Sequence, residues 1–148
     1  MVKTDSILNL MVTHHGFLEA LLAVFKDELG KDRERTAKTL DTFQWELEKH
    51  IFNEEKVIFR FCNKEDEQIC ELVKKLEQEH TMMLDMLGDL KDDLMTKAQE
   101  DAVKFREFMA RHRKTEEENL YPRLDQELPV AIKEDIIARI NEIPAKKY

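Results

Sequence analysis

Two short stretches of this chain repeat a residue pattern that can bind a metal ion. His50 is followed four residues later by Glu54, and His112 is followed four residues later by Glu116, so that each stretch reads His-x-x-x-Glu-Glu. Residues four apart on an α-helix share a face and lie about 6 Å apart along its axis. Each stretch therefore directs an imidazole and a carboxylate to one point. Two such points facing each other would form a metal site.

A single histidine precedes each of these stretches, so the whole pattern occurs twice. His15 precedes the first stretch and His80 precedes the second, at offsets of 65 residues (15 to 80) and 62 residues (50 to 112). We interpret this repetition as an internal duplication. Two similar halves would place two similar half-sites opposite each other.

Five helices are predicted to position these residues. The chain has only three glycines and three prolines, which are too few for the frequent turns of a strand-rich fold. Its apolar residues recur with a 3.6-residue period, which is typical of α-helices. The fold class is therefore all-α. The short connections predict an antiparallel up-down-up-down four-helix bundle with a short fifth helix at the C-terminus. The predicted helices cover about 6–30, 32–63, 66–95, 97–126 and 129–143.

The four histidines should lie in one cross-section of this bundle. Each of them is 13 to 17 residues from the turn next to it. A buried imidazole needs partners for its nitrogens, and a buried carboxylate is costly unless it is paired or bound to a metal. Six such groups in one layer would be destabilising without a cation. The predicted metal ligands are His15, His50, Glu54, His80, His112 and Glu116.

The donor types restrict the choice of metal. Four imidazole nitrogens and two carboxylates, with no thiolate, suit iron, manganese or zinc. Zinc usually takes four ligands, whereas six ligands in two clusters fit two ions, with Glu54 and Glu116 as bridges. We therefore predict two iron ions joined by an oxo or hydroxo group, with manganese or zinc as the less favoured alternatives. This ligand count leaves open positions for an exogenous ligand. No catalytic residue is assigned.

Several neighbouring residues need a separate interpretation. His14 is the alternative to His15 on the first helix, but its apolar flanks form the weaker stripe, so we favour His15. Glu55 and Glu117 are each one step off the metal-facing side and are expected to be solvated. Glu79, which adjoins His80, is expected to point away from the site.

Composition and charge exclude some classes of partner. The 148 residues fit one domain, 1–148, and the net charge of -8 argues against nucleic acid or an anionic membrane surface as a partner. No 18-residue run is wholly apolar, and the N-terminus lacks the pattern of a signal peptide, so a cytoplasmic location is expected. Cys62 and Cys70 match no C-x-x-C motif and are expected to be free thiols. The oligomeric state stays open, with self-association through the fifth helix as one option.

The residues of the predicted site resemble those of the hemerythrin-like, or HHE cation-binding, family. The resemblance covers about 6–126 and rests on His15 with the following Leu-Glu-Ala-Leu-Leu, both His-x-x-x-Glu-Glu stretches, the Glu-His pair ending at His80, and Leu120-Tyr121-Pro122. It implies a four-helix bundle with a non-haem centre that usually holds two irons. The oxygen carriers of the family have another histidine one turn from the ligand on the third helix. Here both flanking positions are leucines, Leu76 and Leu84.

The absence of this histidine favours the broader HHE set over oxygen transport. The first hypothesis is a diiron protein that binds or senses oxygen, nitric oxide or iron itself. The alternative is a diiron enzyme or repair factor that consumes peroxide or donates iron to iron-sulfur centres, so enzymatic activity is left open. A ferritin-like oxidase is disfavoured, because the Glu-x-x-His pattern occurs only at Glu77 and His80. A histidine phosphotransfer bundle would need one exposed histidine rather than four buried ones.

Overall fold

The computed structural model describes residues 6–92, 94 and 98–142, and these residues form five helical stretches. Two stretches are composite: each continues from an α-helix into a π-helical segment, which we name the first and the second π segment. Within the described residues there is no strand, which confirms the all-α class. The elements are α1 (Ile7–Glu28), α2 (Arg33–Phe52), the first π segment (Asn53–Ile58), a 3-10 turn (Phe59–Phe61), α3 (Glu67–Asp92), α4 (Ala98–Thr115), the second π segment (Glu116–Leu120), α5 (Tyr121–Glu127) and α6 (Val130–Glu142).

The helix ends follow from local hydrogen bonding. The side chains of Ser6, Asp32 and Asp66 each accept a hydrogen bond from the backbone N–H three residues further on, at 3.1 to 3.2 Å. This is the usual N-terminal cap, which satisfies an otherwise unpaired donor. Gly30 has a φ of 80°, a conformation that favours glycine, and ends the first helix. The predicted end of the third helix, near 95–97, lies outside the described residues.

The core consists of two apolar clusters, one on each side of the histidines. Along α1 and α3, the chain runs from the second cluster, through the histidine, to the first cluster. Along α2 and α4, continued by the π segments that follow them, it runs in the opposite order. The first cluster comprises Leu18, Leu22, Phe25, Leu29, Leu40, Phe43, Leu47, Ile51, Met83, Leu87, Leu90, Ala98, Ala102, Phe105 and Met109. The second comprises Ile7, Met11, Val57, Ile58, Phe59, Cys62, Ile69, Leu76, Leu120, Tyr121, Leu124, Ile136 and Ile140.

The last helix, α6, covers the end of the bundle that holds the second cluster. Ile136 and Ile140 are buried in that cluster, and α6 packs against α1 and the first π segment. The face of α6 that carries Ile136 and Ile140 is therefore buried against other parts of the same chain. This helix is the fifth helix of the sequence prediction. Residues 143 and 144, where the helix was predicted to end, lie outside the described part.

By length and composition alone, α1 is apolar enough to cross a membrane. The core helix of a folded protein satisfies the same criterion. Met11, His15 and Leu18 of α1 are all buried within the bundle, and the helix packs against α2. The absence of a membrane partner stays a prediction.

The two cysteines are free thiols, as predicted. Cys62 is buried and Cys70 is exposed. Burial raises the pKa of the Cys62 thiol to about 12, so this group stays protonated and unreactive near neutral pH.

Candidate metal centre

All six residues predicted as ligands meet in one buried layer between the two apolar clusters. None of the six residues is more than 5% exposed. They form two groups of four, and within each group one ligand atom from every residue lies within 4.8 Å of the others. The first half-site contains His15, His50, Glu54 and Glu116. The second half-site contains Glu54, His80, His112 and Glu116.

The Nε2 atoms of the histidines point into this layer. In the first half-site, His50 Nε2 lies 2.8 Å from Glu54 Oε1, and His15 Nε2 lies 3.3 Å from Glu116 Oε1. In the second, His80 Nε2 lies 3.3 Å from Glu54 Oε1, and His112 Nε2 lies 3.4 Å from Glu116 Oε1. Glu54 and Glu116 therefore face both pairs of imidazoles. Their position between the half-sites suits carboxylates that are shared by two ions.

Three of the four imidazoles are held by a carboxylate, which accepts a hydrogen bond from Nδ1, the ring nitrogen on the side away from the layer. Nδ1 of His15 donates a hydrogen bond to Glu117 at 2.7 Å, and Nδ1 of His80 donates one to Glu55 at 2.7 Å. These two bonds cross between the halves of the chain, because each histidine is held by a glutamate of the other half. Such a bond fixes the ring orientation and places the proton on Nδ1. The Nε2 atom then presents a lone pair to the layer.

The third bond of this kind lies within the second half of the chain. Nδ1 of His112 donates to Glu79 at 2.8 Å. The Nδ1 atom of the fourth histidine, His50, is buried without a hydrogen-bond partner. The four imidazoles are therefore not held equally, although their Nε2 atoms converge in the same way.

The arrangement of donors and acceptors fits a cation. Four imidazole Nε2 atoms and two carboxylates converge in this layer, and the Nε2 atoms of His15 and His50 are only 3.1 Å apart. Five buried atoms of the layer form no hydrogen bond of normal geometry, despite the 2.8 Å approach of His50 Nε2 to Glu54 Oε1: Glu54 Oε1, His80 Nε2, His112 Nε2, Glu116 Oε1 and Glu116 Oε2. Buried polar atoms are almost always paired, so a convergent group without partners indicates a missing positive charge. A metal bound by nitrogen and oxygen would satisfy these atoms together.

Two of the imidazoles have opposite pKa shifts in the metal-free protein. Burial lowers the pKa of His112 to about 4, so its ring is neutral near pH 7. Burial alone would also lower the pKa of His80, but Glu54 and Glu55 outweigh it and raise the pKa. Burial would raise the pKa of Glu54, yet its contacts with His50 and His80 hold that pKa well below the usual range. Glu54 is therefore ionised near pH 7, as a carboxylate that binds a cation must be.

A tyrosine that follows the second π segment also contacts the layer. The hydroxyl of Tyr121 donates a hydrogen bond to Glu54 Oε2. Burial raises the pKa of Tyr121 well above its usual range, so the hydroxyl keeps its proton. The corresponding residue of the first half is Phe59, which stacks on His80 with the ring planes 2° apart. Sequence comparison of the two halves shows this aromatic pair, but it does not show that the tyrosine reaches across to a ligand.

Two expectations about neighbouring glutamates were wrong. Glu55 and Glu117 were expected to be solvated, but they are only 30% and 21% exposed and they hold His80 and His15. Glu79 was expected to point away from the site, and it holds His112. The π segments explain the first error, since a backbone that is hydrogen-bonded from residue i to i+5 is wider than an α-helix and changes which side chains face inward. The sequence signal that could have indicated this role is the second glutamate of each His-x-x-x-Glu-Glu stretch.

The two adjacent histidines of α1 occupy different positions relative to the layer. His15 is 4% exposed and lies in the layer, whereas His14 is half-buried beside it, with its ring centroid 6.4 Å from that of His50. Burial, followed by the charges of His50 and Lys49, lowers the pKa of His14 to about 4. His14 is therefore neutral near pH 7 and lies just outside the layer.

A helical bundle with this layer defines a class of metal-binding protein. The sequence model of the hemerythrin HHE cation-binding domain matches residues 6–124. The chain therefore belongs to the hemerythrin HHE cation-binding family. No curated protein and no solved structure shows significant similarity to it.

Proposed function

We propose that this protein holds two iron ions in the histidine and glutamate layer and binds or senses a small ligand such as oxygen or nitric oxide, or iron itself. The observation that carries the proposal is the convergence of imidazole Nε2 atoms and shared carboxylates in two groups of four. Membership of a cation-binding family supports the same assignment. Nitrogen and oxygen donors without thiolate suit iron, and four protein donors for each ion leave coordination positions open.

In this proposal, some residues would bind the ions and others would orient the imidazoles. The four histidines and the two bridging glutamates would hold the ions, while Glu55, Glu79 and Glu117 orient the imidazoles behind them. The apolar clusters on both sides keep water away from the layer. Two irons held there would supply one-electron redox chemistry and open positions for a small ligand. Tyr121 keeps Glu54 oriented through its hydrogen bond.

The antiparallel up-down-up-down topology is part of this proposal. It is supported by the reversed order in which successive helices pass through the two core clusters. It is also supported by the packing of α1 on α2, α2 on α3, α3 on α4 and α1 on α4. In such a bundle, one layer receives one histidine from each of the four helices.

Metal analysis combined with an optical spectrum tests the assignment. Protein produced with ample iron should contain two irons per chain. His50→Ala and His112→Ala should each lower that content, whereas His14→Ala, which changes a histidine outside the layer, should retain it. Equal, near-zero iron in the wild-type protein and in all three variants would contradict the proposal.

Ligand exposure then separates binding from turnover. A spectral change on addition of oxygen or nitric oxide, without consumption of the ligand, supports a carrier or a sensor. Sustained loss of added peroxide would instead identify an enzyme, the alternative predicted from the sequence. The control is the double variant His50→Ala with His112→Ala, which removes a histidine from each half-site and should show neither response.

A further inference from the structure

The two halves of the chain hold their histidines differently at one position. Residue correspondence places His14 of the first half where the second half has Glu79, because each directly precedes the lone histidine of its half. Glu79 accepts the Nδ1 proton of His112 at 2.8 Å. The equivalent imidazole, His50, has no Nδ1 partner. The second half-site thus has both of its histidines held by carboxylates, and the first half-site has only His15 held in this way.

The two positions also differ in the cavities beside them, although His50 and His112 are almost equally buried, at 5% and 4% exposed. A cavity of about 360 Å³ is lined by His14, Glu46, Lys49 and the ligand His50 itself. In the second half, a cavity of about 390 Å³ is lined by Glu79 and Arg111 but does not include His112. Glu79 both lines that cavity and accepts the hydrogen bond from His112. His14 leaves His50 in contact with its cavity.

We propose that the first half-site is the exchangeable one: its metal ion enters and leaves through the cavity beside His14, while the ion of the second half-site is retained. The inference rests on the proposed two-metal centre and deepens it. The protein would then exist as a stable one-metal form with the ion between His80 and His112. The first half-site would gain or lose its ion as the surrounding metal concentration changes.

The expected size of the difference follows from how an imidazole is held. A carboxylate behind a ligating histidine fixes the tautomer and the ring orientation and raises the basicity of the coordinating nitrogen. Loss of such a partner typically weakens metal binding about 10–100-fold. The half-sites share Glu54 and Glu116, but they differ in the unheld His50 and in the cavity that His50 lines. We expect release from the first half-site to be faster by about the same factor.

A chelator chase measures this difference directly. The whole protein is loaded anaerobically with ferrous iron until it is saturated, and ferrozine is added in excess. The absorbance of the chelate reports release. We expect two phases of equal amplitude, with rates about 10–100-fold apart. His50→Ala should abolish the fast phase and His112→Ala the slow phase.

Exchanging the residue types at positions 14 and 79 tests whether the carboxylate causes the difference between the two release rates. His14→Glu restores a carboxylate at the position equivalent to Glu79 and should slow the fast phase towards the slow one. The control is Thr13→Glu, which adds the same charge to the lining of the same cavity one residue away. In the second half, Glu79→His should speed the slow phase, and the exposed neighbour in Gln78→His is its control. Circular dichroism confirms that each variant is folded.

The outcomes separate this inference from the function on which it rests. Saturation at two irons with two phases, of which only the fast one responds to His14→Glu, supports the inference. Two irons that leave in a single phase, or a fast phase that disappears in His112→Ala, would overturn it and leave the two-metal centre intact. Saturation below two irons per chain would contradict the centre itself.

Discussion

The helical stretches that contribute one residue to the layer differ in backbone conformation from those that contribute two. α1 and α3 remain α-helical through His15 and His80, whereas α2 and α4 change to π-helix within a few residues after His50 and His112. In each π segment the first glutamate points into the layer and the second reaches a histidine of the other half. The backbone N–H groups of Phe59 and Tyr121 bond to the carbonyls of Glu54 and Glu116, five residues earlier. A widened turn thus allows two consecutive carboxylates to serve one site.

The first glutamate of a π segment should matter most. Glu116→Ala removes a carboxylate that both half-sites share, so we expect both to bind iron more than about 100-fold more weakly, which exceeds the usual loss for a residue that only orients a ligand. Elemental analysis after gel filtration checks this result. The neighbouring Glu118→Ala, on the surface of the same segment, is the control. Retention of two irons by Glu116→Ala would contradict the shared role.

The pH dependence of stability compares His112 on α4 with His80 on α3. The pKa of His112 is lowered to about 4 in the folded metal-free protein, against 6.5 when unfolded. Between these values the unfolded state binds more protons, so stability falls as the pH falls, by about 3 kcal/mol for this group alone. The raised pKa of His80 acts in the opposite direction. Its contribution is fully present below pH 6.5 and is lost only as the pH rises through its folded pKa.

Urea denaturation of the metal-free protein at several pH values measures this slope. His112→Gln should lose about 3 kcal/mol less between pH 6.5 and 4 than the wild-type protein does. NMR titration should show the His112 ring still neutral at pH 5 and the His80 ring still protonated above pH 6.5. Equal slopes in the wild-type protein and in the variant would show that burial does not exclude the proton from His112.

The second glutamate of each π segment should affect one half-site at a time. Glu117→Ala removes the carboxylate behind His15 and should weaken the first half-site about 10–100-fold, while Glu55→Ala should weaken the second half-site to the same degree by freeing His80. Iron titration with a competing chelator resolves the two affinities. If Glu117→Ala instead weakened the half-site of His112, or Glu55→Ala the half-site of His50, the crossed arrangement would be wrong.

The smallest effect is expected at the end of the second π segment. Tyr121→Phe removes the hydroxyl that donates to Glu54 and leaves a buried carboxylate oxygen without that donor. The cost should be about 1–2 kcal/mol in the free energy of unfolding of the metal-free protein. Urea denaturation checks it, and Phe59→Leu at the equivalent position controls for aromatic packing. A Tyr121→Phe protein as stable as the wild type would show that Glu54 is held by its imidazole contacts alone.

The helices and the residues that face into the layer could be predicted from the sequence, but the residues that orient the imidazoles could not. Spacing was sufficient for His50 and Glu54 because two residues four apart must share a helix face. It failed for Glu55 because a π segment changes the faces that residues occupy, and local periodicity does not reveal it. It failed for Glu79 because its partner, His112, lies 33 residues away on another helix. The role of Tyr121 depends in the same way on a contact between distant parts of the chain.

The crossed hydrogen bonds have a consequence for the ancestry of the fold. His15 is held by Glu117 and His80 by Glu55, so neither half of the chain completes a half-site on its own. A helical hairpin with one lone histidine and one His-x-x-x-Glu-Glu stretch would form the same layer only when two copies associate. Joining two copies in one gene would convert that symmetric dimer into a single chain. The positions now occupied by His14 and Glu79 could then diverge independently.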